Sequence, residues 1–151
     1  MATITDPMML RQIIMDHYEN PRNRELVKDD KDYYSLRKNT ESCIDDLTVQ
    51  VKFNGDVIED IRFDGEACTI SSASTSILTE LVMNKTVDEA LEIIENYNNM
   101  VFEKPYDEDI LEEAIAFQNV YKQANRIKCA TIGFDALEEI ISLYKGGKSN
   151  E

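Results

Sequence analysis

Leu47-Thr48-Val49-Gln50-Val51-Lys52-Phe53-Asn54-Gly55-Asp56-Val57-Ile58-Glu59-Asp60-Ile61-Arg62-Phe63 alternates apolar and polar residues on either side of a turn dipeptide. Leu47, Val49, Val51 and Phe53 share one parity and Thr48, Gln50 and Lys52 the other, the period of a half-buried strand. Asn54-Gly55 is a two-residue hairpin signal. Beyond it Val57, Ile61 and Phe63 line one face of a second strand that ends near Gly65. One cysteine, Cys43, stands just before the first strand, and another, Cys68, just after the second. Antiparallel pairing closes the open end of a hairpin, so these two thiols are expected to be neighbours.

Helical signals flank the hairpin. Asp6-Pro7 reads as an N-cap followed by proline at the first helical position. Met9, Leu10, Ile13, Ile14 and His17 then recur at helical spacing until Asn20-Pro21 stops them. Residues 22–42 are polar and loop-like. After Cys68 a run of small residues, Ser71 to Ser76, becomes apolar at Ile77, Leu78, Leu81 and Val82. It predicts a helix from Ser71 or Ser72, with Cys68 beside a helix N-terminus, where the dipole favours a thiolate. Thr86-Val87-Asp88-Glu89 is a capping box ahead of a short helix. Pro105 breaks the chain before another helix marked by Ile110, Leu111, Ala114, Ile115 and Phe117. A C-terminal amphipathic helix runs from Arg126 to Gly146-Gly147, with Cys129 in its first turn, and residues Lys148 to Glu151 are expected to fray.

The chain has 151 residues, with 30 acidic against 16 basic and a net charge of −14. One domain, 1–151, is expected from that length. Such a charge repels phosphate backbones and anionic lipid, so nucleic acid and membranes are excluded as partners in favour of a basic patch on a protein. Neither a signal peptide nor a spanning apolar run is visible, so a reducing, cytoplasmic setting with free thiols is expected.

Three cysteines cannot close into a complete disulfide framework. Three thiols and a carboxylate can supply the four ligands of a tetrahedral metal site. Asp45 shares the parity of Cys43, so in extended chain both point the same way. The paired Cys-x-Cys and Cys-x-x-Cys knuckles of common structural zinc sites are absent, and spacing alone favours three unrelated core thiols over a shared site. His17 reads as a packing or capping residue. Ser71 to Ser76 lack the Gly-x-Ser-x-Gly elbow of serine nucleophiles.

The flanking residues carry a resemblance. Asp16-His17-Tyr18-Glu19-Asn20-Pro21-Arg22-Asn23, Gly65-Glu66-Ala67-Cys68-Thr69-Ile70-Ser71-Ser72-Ala73-Ser74 and Arg126-Ile127-Lys128-Cys129-Ala130-Thr131 resemble motifs of the U-type iron–sulfur cluster assembly proteins. That family includes IscU, the NifU N-terminal domain and SufU. Lys128 stands where IscU-type members place a histidine, and an inserted helical segment at roughly Asn96–Ala116 is similar to the SufU branch. The resemblance implies an α+β fold, a small antiparallel three-stranded sheet with helices packed on one face, its third strand formed within residues 30–40.

For function the resemblance implies a zinc-containing persulfide acceptor, a zinc-dependent sulfurtransferase, working with a SufS-like cysteine desulfurase and downstream assembly proteins. Cys43, Asp45, Cys68 and Cys129 would be the metal ligands and Cys43 the sulfur acceptor. Arg126 would pair with the aspartate when ligands exchange. The alternative cofactor is iron or a [2Fe–2S] cluster, with the protein as the scaffold that assembles and transfers it. A further reading is an interaction domain with a purely structural zinc. Ile44 and Ala67 replace family glycines and no proline precedes Cys43, which leaves open whether Asp45 or Asp46 is the ligand.

Overall fold

The computed structural model describes residues 6–28, 30–39 and 44–146. Asp6 caps the first helix, α1 (Pro7–Glu19), by accepting the Met8 N–H at 3.0 Å, and Asn20 ends it ahead of Pro21. Three strands follow, β1 (Tyr33–Asn39), β2 (Asp46–Asn54) and β3 (Val57–Glu66), forming an antiparallel sheet in that order. β1 lies inside the stretch that composition alone reads as loop, and in the window the family resemblance implies. It is an edge strand with only Tyr34 and Leu36 turned to the core, too few to stand out as alternation. Residues 40–43, Cys43 among them, lie outside the described residues, as do Gly147 and the end expected to fray.

The hairpin differs from its sequence pattern in two details. Asn54 pairs with Val57, so the loop residues are Gly55-Asp56 rather than Asn54-Gly55. Only Gly55 of the two has positive φ, the pattern of a II′ turn. Next, Lys52 pairs with Asp60 but Phe53 with Ile58, leaving Glu59 as an extra residue on β3. Such a bulge inverts parity beyond it. The core face of β3 therefore carries Ile58, Ile61 and Phe63, all fully buried, and Val57 is only half-buried. On β2 the expected Leu47, Val49 and Val51 are wholly buried. Phe53, beyond the bulge, joins a rim cluster instead, stacked on Tyr144 at 3.9 Å between centroids.

The second helix, α2 (Thr69–Val82), starts earlier than its serine run predicts, because Cys68 itself is the N-cap. The capping box is present on α3 (Val87–Val101): Thr86 accepts the Glu89 N–H and Glu89 the Thr86 N–H. That helix is longer than expected. The helix expected around Ile110–Phe117 is instead one turn, α4 (Glu108–Leu111), and two 3-10 segments, Glu112–Phe117 and Val120–Lys122. Glu112 has φ +47, which an α-helix cannot carry through. The last helix, α5 (Ala124–Lys145), begins before Arg126 and places Cys129 in its second turn.

The helices cover one face of the sheet, with α2 packed between α1 and α5. Nearly all of α2 is buried, serines and threonines included, because small side chains let its neighbours approach closely. At Gly133 on α5 an added Cβ would lie 2.6 Å from Thr75 Oγ1, so only glycine fits the crossing. Tyr97 of α3 stacks on Phe134 at 3.7 Å and donates its hydroxyl to the Ala130 carbonyl at 2.7 Å. These contacts anchor α5 immediately after Cys129.

Candidate metal centre

One end of the sheet gathers the site. Gly65 pairs with Leu47 where β2 and β3 begin to part, and its φ of +133 belongs to glycine. A Cβ there would lie 2.2 Å from the Asp46 carbonyl oxygen. The hairpin closes tightly for that reason, and it brings Asp45 onto the N-terminus of α2.

Asp45 is 1% exposed and both of its carboxylate oxygens are engaged. Oδ1 accepts the Cys68 N–H at 2.8 Å, and Oδ2 accepts the hydroxyl of Ser71. Cys68 is half-buried; its Sγ lies 3.1 Å from Ser71 Oγ and 3.9 Å from Asp45 Oδ2, and it accepts the Ser71 N–H at 3.4 Å. Ser71 has one hydroxyl proton, so with that proton on Asp45 the contact to sulfur is made by the Cys68 thiol as donor. Cys129 enters from α5, fully buried. One donor atom from each of Asp45, Cys68 and Cys129 lies within 4.8 Å of the other two.

Asp46 goes the other way. Arg37 on β1 grips it with two hydrogen bonds of 2.7 and 2.5 Å, and that contact holds the Asp46 carboxyl below its usual range. Successive residues of an extended chain point to opposite sides, so of the two aspartates it is Asp45 that faces the thiols. Ile44 is 70% exposed. Arg126 and Lys128 are both exposed, Arg126 one turn ahead of Cys129.

The donor set suits a borderline or soft divalent ion: two cysteine sulfurs and a carboxylate among the described residues, with the Cys68 Sγ to Asp45 Oδ2 spacing of 3.9 Å near the edge of a tetrahedron with bonds of about 2.0–2.3 Å. Two further residues shape this corner without any sequence signal strong enough to single them out. Ser71 stands three residues after Cys68, the spacing at which an N-cap meets the N3 position, and that pattern is visible only once the helix start is known. Arg24 comes from a polar loop. It donates to Asp64 Oδ1 at 3.2 Å, Ser72 Oγ at 3.2 Å and the Gly65 carbonyl at 2.7 Å, tying the hairpin end to α2.

The profile of the NifU-like N terminal domain family matches residues 9–151. The zinc-dependent sulfurtransferase SufU of Bacillus subtilis is 39% identical over 140 residues, spanning 92% of this chain and 93% of the relative. The iron–sulfur cluster assembly scaffold protein IscU of Streptococcus pyogenes is 36% identical over 131 residues, 85% of this chain and 80% of the relative. Among solved structures, a candidate iron–sulfur cluster assembly scaffold protein for the SUF system from Fervidobacterium islandicum superposes with a TM-score of 0.80 at 33% identity, over 91% of this chain and 99% of the other. A NifU-like N-terminal structure from Brucella abortus, at 20% identity and a TM-score of 0.79, has the same fold. Among the described residues no helix is long and apolar enough to cross a membrane.

Proposed function

The chain belongs to the NifU-like N-terminal domain family, and from that premise we propose that it is an iron–sulfur cluster assembly protein acting as a zinc-containing sulfur acceptor for a cysteine desulfurase in the cytoplasm. The observation that carries this reading is the convergence of Asp45, Cys68 and Cys129 at the hairpin end. With Cys43 added from the sequence these residues would make a Cys3Asp set, and zinc bound there would hold its cysteine ligands as thiolates at neutral pH.

In the sulfur-transfer step the Cys43 thiolate attacks the outer sulfur of the desulfurase persulfide. A new S–S bond forms at Cys43 as the donor S–S bond breaks, and the desulfurase cysteine leaves as thiolate. Asp45 is poised for exchange, because Ser71 and the Cys68 N–H already hold its carboxylate against α2. In this reading Arg126, exposed and one turn ahead of Cys129, takes up that carboxylate when ligands change. The net charge of −14 favours a desulfurase with a basic docking face.

Metal and sulfide analysis of protein purified anaerobically tests the cofactor. One zinc per chain without a visible chromophore is expected. Stoichiometric iron and sulfide would replace the acceptor reading with that of a cluster scaffold. Desulfurase turnover tests the acceptor: wild type stimulates it and Cys43→Ala does not. Equal stimulation by both would overturn the mechanism.

A further inference from the structure

We propose that His17, Glu80 and Glu113 form a second divalent-cation site, free of sulfur and separate from the thiol centre. Three elements meet there: the end of α1 supplies His17, α2 supplies Glu80 and the first 3-10 segment supplies Glu113. His17 is fully buried, and its Nε2 lies 3.0 Å from Glu113 Oε1 and 3.9 Å from Glu80 Oε1. One donor atom from each residue lies within 4.8 Å of the other two. Ligands about 2.0–2.2 Å from a shared ion are about 3.0–3.5 Å apart. Closing the cluster on an ion therefore needs small shifts, and the two glutamates are free to make them, their side chains being 48% and 50% exposed.

The His17 ring is held at both nitrogens: Nδ1 lies 2.8 Å from Ser76 Oγ, which sets the ring plane, and Nε2 hydrogen-bonds Glu113 Oε1. With its proton on Nδ1 and donated to Ser76, the ring would offer Nε2 to an ion in place of that hydrogen bond. Charge favours a cation. Asp16, Glu80 and Glu113 stand against a single guanidinium, Arg22, so the acidic side chains outnumber the guanidinium by about two. Arg22 is committed mainly elsewhere: it bonds Asp16 Oδ2 at 2.8 Å and the Asn20 carbonyl at 3.1 Å, and its ion pair with Glu80 Oε1 is long, at 3.7 Å. An open cleft in which Asp16, Glu19 and Glu113 alternate with Met9, Ile13 and Met15 borders the cluster on its Glu113 side. One imidazole and two carboxylates suit zinc, ferrous iron, cobalt or manganese, and three protein ligands leave positions for water.

Anaerobic titration of the full-length, reduced, metal-stripped protein with Co2+ tests the site and does not depend on the sulfur-acceptor reading. Wild type should bind one ion with near-ultraviolet sulfur-to-cobalt charge transfer and a second with weak visible bands alone. Glu113→Gln and Glu80→Gln, both at half-exposed positions, should each weaken the second ion by at least about tenfold and leave the first unchanged. Saturation of wild type at the thiol ion alone, or an unchanged second ion in Glu113→Gln, would overturn the proposal and make His17 a hydrogen-bonded staple. A second ion without any charge-transfer band would uphold this site and count against the thiol centre.

Discussion

At its N-terminal end α2 presents Cys68 and Ser71 to Asp45 and Cys129; further along, the same helix presents Ser76 and Glu80 to His17 and Glu113. In each place a buried serine orients a polar group brought by another element. The first group of donors is sulfur-rich and its carboxylate is wholly buried. The second is nitrogen and oxygen with half-exposed carboxylates. One small-residue helix thus lets neighbours close in at both ends, and the side chains they bring decide whether soft or harder ions suit the place.

The largest effect should come from breaking the sulfur end alone. Cys68→Ala is expected to weaken ion binding there by more than about 100-fold, beyond the usual loss from an outer-shell partner. Chelator competition reads it, and the histidine end should keep its ion. Substituting the two aspartates sharpens which carboxylate belongs to that end. Asp45→Asn should weaken the same ion about 10- to 100-fold, and Asp46→Asn should leave it unchanged; equal losses would mean that the opposite orientation of the two carboxylates does not matter.

Gly133 lies between the two ends, one turn past Cys129 and against Thr75. Gly133→Val should cost about 1–3 kcal/mol in urea unfolding through overpacking. It should disturb the sulfur end more than the histidine end, because Cys129 shares its helix. The smallest effect is expected at Thr75, whose buried hydroxyl has no hydrogen-bond partner among the described residues. Thr75→Val keeps the branched shape and removes that hydroxyl, and should raise stability by about 1 kcal/mol. A loss of stability on the same urea curve would show that the hydroxyl is needed.

Much of this arrangement is legible in the sequence because it depends on local rules. Asp6-Pro7, the Thr86–Glu89 box and the Leu47–Val51 alternation each name their own backbone geometry. Hairpin closure predicts the meeting of Cys43 with Cys68, of which Cys43 lies outside the described residues, and the same closure is what sets Asp45 beside Cys68. The parts that escape depend on distant partners. The bulge at Glu59, which exchanges Val57 for Ile58 in the core, is set by pairing with β2 and leaves no mark in β3 alone. The break at Glu112 comes from how residues 112–117 pack, since Ile110 to Phe117 has an ordinary helical period. The early start of α2 follows from Cys68 acting as a cap, a role usually taken by oxygen side chains. His17 is read as a packing residue, and its companions Glu80 and Glu113 are far along the chain.

The opposed directions of Asp45 and Asp46 make β2 a ruler graduated in single residues. A deletion between Leu47 and Phe53 would move Ile44 into the place of Asp45 and roll the buried faces outward. An insertion there would bring Asp46 to the thiols and take it from Arg37. Changes of length in this protein therefore have few places to go. The exposed stretch 102–105 after α3 can absorb them, whereas the hairpin cannot gain or lose a residue without taking Asp45 away from Cys68.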